Sequence, residues 1–182
     1  MNTSTRKQAG QMPSDDSAAP LRRAITDLLP DLRAFARFLA RDRTLADDLV
    51  QEALVRALGA LHQFHAGTDM KAWLFTILRN VFYEQGRRRR TEQAALAIAP
   101  AQEIAGDPAQ DSKLELADLE RLLWSLPPLL REALVLVGAQ GMDHDQAAAI
   151  CGVPIGTMKS RVSRARARMA RELRGEGREV SK

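Results

Sequence analysis

Between Pro154 and Arg174 the chain places seven basic residues against a single acid. Lys159, Ser160, Ser163, Arg164 and Arg168 fall on one side of a helical projection, and Arg161 and Arg166 flank them. Met158, Val162, Ala165 and Met169 recur at i, i+4, i+7 and i+11 on the other side, the seam of a buried helix face. Guanidinium and ammonium groups beside hydroxyls suit phosphate holding and base-edge reading rather than covalent chemistry. A second basic run, Arg87 to Arg90, ends a segment that also carries Lys71, Arg79 and Asn80. Cations at a helix C-terminus are locally favourable, which accounts for one or two of these arginines but not for four. Concentrated positive charge of this kind is the footprint of a polyanion-binding surface. The plainer reading of either run alone is a solvated helix end.

The same inspection excludes other chemistries. There is no nucleophile–base pair, no phosphate-cradling glycine loop and no metal-ligand set, so neither an enzyme nor a cofactor is expected. His62 and His65 are spaced i, i+3, with no cysteine or further histidine nearby, which argues against a metal. Cys151 is the single cysteine; it excludes an internal disulfide, fits a reducing compartment and reads as a small core residue. No run approaches the roughly 18 apolar residues of a membrane span. A cytoplasmic protein is expected.

The elements that position the basic faces follow from periodicity. The chain has 182 residues, enough for one ordinary domain or two small ones, with a net charge of +4. Residues 1–20 lack a period and are expected to form a flexible tail. From Leu21 onward Ile25, Leu28, Leu29, Leu32, Phe35, Ala36 and Leu39 make one helical stripe, with Pro30 as a fresh helix start. Arg41-Asp42-Arg43 is a polar break. Thr44 and Asp47 have the form of a capping box for the next helix, which is expected to reach Leu61. His62 to Thr68 form a loop, and Asp69 caps a third helix bearing Trp73, Leu74, Ile77, Leu78 and Val81.

Residues 91–113 carry one base and four acids with weak periodicity. Their length suits a flexible interdomain linker, averaging roughly 26 Å as a coil. Beyond it, Leu114 to Ser125, Pro127-Pro128 and Leu129 to Val137 lead to a capping pair, Asp143 and Gln146. A short helix through Cys151, a turn at Gly152 and a new start at Pro154 complete a helix-turn-helix plan. The expected fold is all-α, two small helical domains on a flexible tether: 21–90 and 114–174, with a further tail at 175–182.

Thr44–Ala57 (TLADDLVQEALVRA), Lys71–Asn80 (KAWLFTILRN) with Arg87–Arg90, and Gly152–Arg166 (GVPIGTMKSRVSRAR) together resemble the extracytoplasmic-function sigma factors of bacterial RNA polymerase. The resemblance covers about residues 21–174. The wording around Ala66–Trp73 and Phe82–Arg90 is similar to the general-stress-response sigma factors of alphaproteobacteria. What it implies is concrete. Asp48, Gln51, Glu52 and Arg56, on the outer face of the second helix, match the surface that docks on the polymerase clamp. The loop from Phe64 to Met70 corresponds to the reader of the downstream (−10) promoter element, which takes an extruded base of the non-template strand. Phe64 and His65 would wall that pocket, or Phe64 would plug the core beneath the loop. Asp69, Lys71, Arg79, Asn80, Arg87 and Arg88 belong to the same DNA-binding region, several of them holding backbone or melted strand.

The basic face of the last helix would bind the upstream (−35) element through Lys159, Ser160, Ser163 and Arg164, with Arg161, Arg166 and Arg168 near phosphates. Ser163 is smaller than the family pattern suggests. Implied partners are core polymerase at its clamp and flap surfaces, promoter DNA and an anti-sigma factor, the chain being a monomer when free. Two other readings stand beside this one. A free-standing helix-turn-helix regulator accounts for 114–174 but leaves the D-D-L-V-Q-E helix unexplained. A sigma-like decoy for an anti-sigma factor would be expected to carry a signal-receiver domain, for which no room remains.

Overall fold

The computed structural model describes residues 15–65, 67–95 and 114–174, and every regular element among them is helical. Residues 1–14, 96–113 and 175–182 lie outside the described residues, and with them most of the tails and tether expected above. Asp15 to Pro20, expected within the N-terminal tail, are instead the start of helix α1 (Asp15–Asp27), and α4 extends into the expected tether as far as Ala95.

The first module is α1, α2 (Leu29–Ala40), α3 (Arg43–Gly59) and α4 (Met70–Ala95). Pro30 sits in the first turn of α2, where its missing N–H has no intrahelical partner to lose. The cap of α3 differs from expectation. Asp42, not Thr44, is the N-cap: its Oδ1 accepts from Leu45 N at 2.7 Å. Asp42 has the extended backbone an N-cap needs, while Thr44 already lies inside the helix. A short 3-10 turn, Leu61–Gln63, follows α3.

Leu32, Phe35, Leu49, Leu74, Phe75 and Leu78 fill the centre of this module and are fully buried. The rings of Phe35 and Phe75 stack at 4.7 Å, which locks α2 to α4. Truncating either ring to alanine would cost about 3–5 kcal/mol in lost burial and cavity.

The second module is α5 (Leu114–Ser125), α6 (Pro128–Leu134), a π-helical turn (Val135–Ala139), α7 (His144–Cys151) and α8 (Ile155–Leu173). Asp143 and Gln146 form the full reciprocal capping box of α7, with bonds of 2.7 and 3.0 Å. Gly152 takes the left-handed conformation (φ 65°) that ends α7. Pro154 then acts as N-cap of α8. Met158, Val162 and Ala165 are buried and Met169 is half-buried, so the i, i+4, i+7 seam is real and loosens toward its end.

The modules pack against each other. Helix α7 lies on α4 as well as on α8, and one contiguous core of buried residues runs from Ile25 to Val162.

Candidate nucleic-acid and polymerase interfaces

The basic face of α8 is open. Lys159, Ser163, Arg164 and Arg166 are exposed. Ser160 is half-buried, and its hydroxyl donates to Thr157 O at 2.8 Å, which holds it against its own helix. Arg161 is half-buried too, near enough to Cys151 to act on it electrostatically. Arg168 lies 3.4 Å from Glu172, whose other oxygen accepts from Ser125 Oγ at 2.7 Å. The Ser125–Glu172 bond ties α8 to the end of α5, and Arg168, paired with that carboxylate, is partly a structural residue. Burial pushes the Cys151 thiol up to about 11, as expected of an inert core cysteine.

On the outer face of α3, Asp48, Gln51 and Arg56 are exposed and Glu52 is half-buried. Arg56 pairs with Glu52 on its own helix at 2.7 Å and with Glu84 on α4. The bond from Arg56 holds the Glu84 carboxyl below its ordinary range, and the bonds to Glu84 and Glu52 raise the guanidinium. Sequence reasoning missed two members of this face. Val55 is 67% exposed and Leu58 49%, so this face has an apolar component beside its charges. Val55 follows the polar stripe in the i+3, i+4 register of Gln51 and Glu52, a signal that was available.

The loop before α4 keeps Phe64 close: its ring meets Trp73 at 5.3 Å, tilted 58°, while His65 is exposed. Gly67 has φ 99°, a backbone that side chains rarely allow. Asp69 caps α4 as expected, with Oδ1 accepting from Lys71 N at 2.8 Å and Ala72 N at 3.2 Å. Its second oxygen accepts from Gln146 of the other module. Lys71 pairs with Asp31 at 2.7 Å and donates to Gln140 O, where the π-helical turn ends, at 2.9 Å.

Arg79 is more deeply committed. Its Nε donates to Glu132 Oε1 at 2.8 Å and its Nη2 to Oε2 at 3.3 Å. Tyr83 Oη donates to the same Oε2 at 3.3 Å, and the Arg79 guanidinium lies 4.5 Å from the Tyr83 ring centre. Glu132 is 2% exposed, the one buried charged side chain among the described residues. Burial and the Glu132 charge push the Tyr83 phenol up to about 12. Asn80, Arg87 and Arg88 remain exposed.

A second set of contacts crosses the same seam. Trp124 lies between two guanidinium groups, with Arg131 3.6 Å and Arg41 4.6 Å from its ring, and Phe38 stacks on it at 5.9 Å. Arg41 adopts the left-handed backbone (φ 60°), unfavourable for a residue with a Cβ. A cleft of about 520 Å³ opens beside it, lined by Phe82, Tyr83, Arg89, Arg90 and Glu132 among others. None of the seam was read from sequence. Glu132 left one trace: it shares a helical phase with the buried Leu136, and a carboxylate in a core register requires a partner.

Comparison with known proteins agrees with this geometry module by module. The Sigma-70 region 2 model matches residues 24–92, and the Sigma-70 region 4 model matches 116–169. The chain is 45% identical over 168 residues to the ECF RNA polymerase sigma factor EcfG of Rhodopseudomonas palustris, covering 92% of this chain and 91% of that one. It is 36% identical to the ECF RNA polymerase sigma factor SigC of Mycobacterium tuberculosis, covering 75% and 74%. Among solved structures, the sigma factor RpoE of Bartonella quintana, crystallised with the anti-sigma factor NepR, superimposes with a TM-score of 0.74. That match has 44% identity and covers 87% of this chain and 99% of that one. Two sigma modules in the right order, on helices that carry the exposed basic and acidic faces just described, place this chain in the extracytoplasmic-function family of RNA polymerase sigma factors.

Proposed function

We propose that this sigma factor docks on core polymerase through Asp48, Gln51, Glu52, Arg56 and the adjoining Val55, and directs it to promoters of stress-response genes. Residues 21–90, extended back to Asp15, form the module that engages the clamp and reads and melts the −10 element. Residues 114–174 read the −35 element through Lys159, Ser163 and Arg164, with Arg166 on phosphate, and residues 91–113 join the two. Phe64 plugs the core beneath the −10 loop, and His65 is the contact the loop offers to an extruded base. Lys71, Arg79, Asn80, Arg87 and Arg88 hold the strand. The protein is a specificity subunit and not a catalyst, is monomeric when free, and joins the nucleoid within holoenzyme.

The observation that carries this reading is the open basic face of α8 beside a matched region 2 module. The identities to EcfG and to the NepR-bound RpoE support a stress-response role and an anti-sigma partner. Transcription from a promoter library by purified core polymerase tests it. Promoter-directed RNA that depends on this chain is expected. Tight promoter binding by the free chain, unchanged by core, would favour the free-standing regulator instead.

A further inference from the structure

One edge of a guanidinium donates to the two oxygens of a single carboxylate or phosphate. Arg79 spends its Nε–Nη2 edge on Glu132, and Tyr83 adds a hydroxyl to the same carboxylate. The cation stacked on the phenol fixes the fork's plane. Three convergent donors with an aromatic wall are the chemistry of a phosphodiester site, since Arg matches planar carboxylate and tetrahedral phosphate alike. Arg79 and Tyr83 are one helical turn apart on α4, and Lys71 lies about two turns before Arg79, a row of donors about 18 Å long from Lys71 to Tyr83. The second module covers this row: Glu132 takes Arg79, the Gln140 carbonyl takes Lys71, and Gln146 takes Asp69.

We infer that Arg79 and Tyr83 form a binding site for one phosphodiester of single-stranded DNA, and that Glu132 occupies it as an internal stand-in while the two modules are packed. This rests on the reading of α4 as the strand-holding helix and adds to it a ligand chemistry, a further residue and a competitor within the same chain. With its Nε–Nη2 edge on Glu132 and its side chain 15% exposed, Arg79 cannot hold a strand by that edge while the modules are packed. The apparent affinity of the free chain for a strand is therefore lowered by the fraction of molecules that are open.

The test uses the full chain in wild-type form and as Glu132→Gln, Tyr83→Phe, Glu132→Gln/Tyr83→Phe and the charge swap Arg79→Glu/Glu132→Arg. Radius of gyration comes from solution scattering, and affinity for an immobilised oligodeoxynucleotide of about 12 bases from interferometry. Glu132→Gln is expected to expand the molecule and raise affinity about tenfold, the relief expected if about one molecule in ten is open. Adding Tyr83→Phe should remove several-fold of that gain. The swap should restore wild-type dimensions yet bind no better than wild type, because the fork now stands on the wrong module. Its compactness also shows that the pair, and not general damage, was altered.

An expanded Glu132→Gln chain with wild-type affinity would overturn the site, as would a swap that binds like Glu132→Gln. A Glu132→Gln chain unchanged in both dimensions and affinity would overturn the competition. The sigma reading fails separately, if wild-type chain with core polymerase starts no promoter-directed RNA. Active wild type with a flat oligonucleotide response sinks this inference alone.

Discussion

Tyr83 is the single tyrosine of the chain, so its phenolate absorbance reports one site. Burial and the Glu132 charge raise its ionisation from 10.0 to about 12. The sign follows from linkage: between those values the folded chain holds a proton that the unfolded chain has lost. The contribution to stability is full below pH 10 and drains away as pH rises toward 12. A titration midpoint near 12 is expected, falling toward 10 in Glu132→Gln, and a wild-type midpoint at the ordinary phenol value would contradict the buried triad. On α8, Arg164 is exposed, and the proposed function assigns it to the upstream element. Arg164→Ala should relax base preference by about 1–3 kcal/mol, or lower the salt slope of upstream-element binding by about 1. Binding unchanged in preference and slope would remove it from the reading face.

At the scale of the element, Gly152 is where the helix-turn-helix depends on a special backbone. A Cβ there meets nothing within 4 Å, so Gly152→Ala carries only the left-handed strain. The expected loss is about 1–2 kcal/mol of stability, read by chemical denaturation, with an undisturbed midpoint arguing against a rigid turn. This turn was legible beforehand because its signals are local: a capping pair three residues apart, a glycine, a proline and a 3.6-residue seam. The open face of α8 was legible for the same reason. The α3 cap lies two residues before the expected one, since Asp42 and Thr44 are both good N-cap types and only backbone geometry chooses. Phe64 was left between two roles, and its packing on Trp73 supports the plug. The seam between modules was invisible because Arg79 and Glu132 stand 53 residues apart. In a basic helix bound for DNA, one arginine carries no mark that it faces a carboxylate.

For the whole molecule, two modules that each bear a basic face are held together by charge pairing and stacking as well as by a shared apolar core. A buried pair such as Arg79–Glu132 gives little net stability against its desolvation, and breaking it by truncation inside a closed interface is costly. Separation differs, because both ions return to water together. This suits an interface that must open. The proposed docking on polymerase uses the outer face of α3. Glu52→Ala should therefore weaken core binding by roughly 1 kcal/mol, about fivefold, with helicity unchanged because Arg56 retains Glu84. Equal affinity in a competition assay would remove Glu52 from that surface.

The two tryptophans divide the labour of reporting on this. Trp73 sits within the first module against Phe64, whereas Trp124 is clasped at the junction by Arg41, Arg131 and Phe38. In a Trp73→Phe chain the remaining indole would lose Arg41 and Phe38 when the halves part, and water would take their place. Its emission should then shift to the red. The protein thus carries an intrinsic optical gauge of its own opening, readable on polymerase or on an inhibitor without attaching a dye.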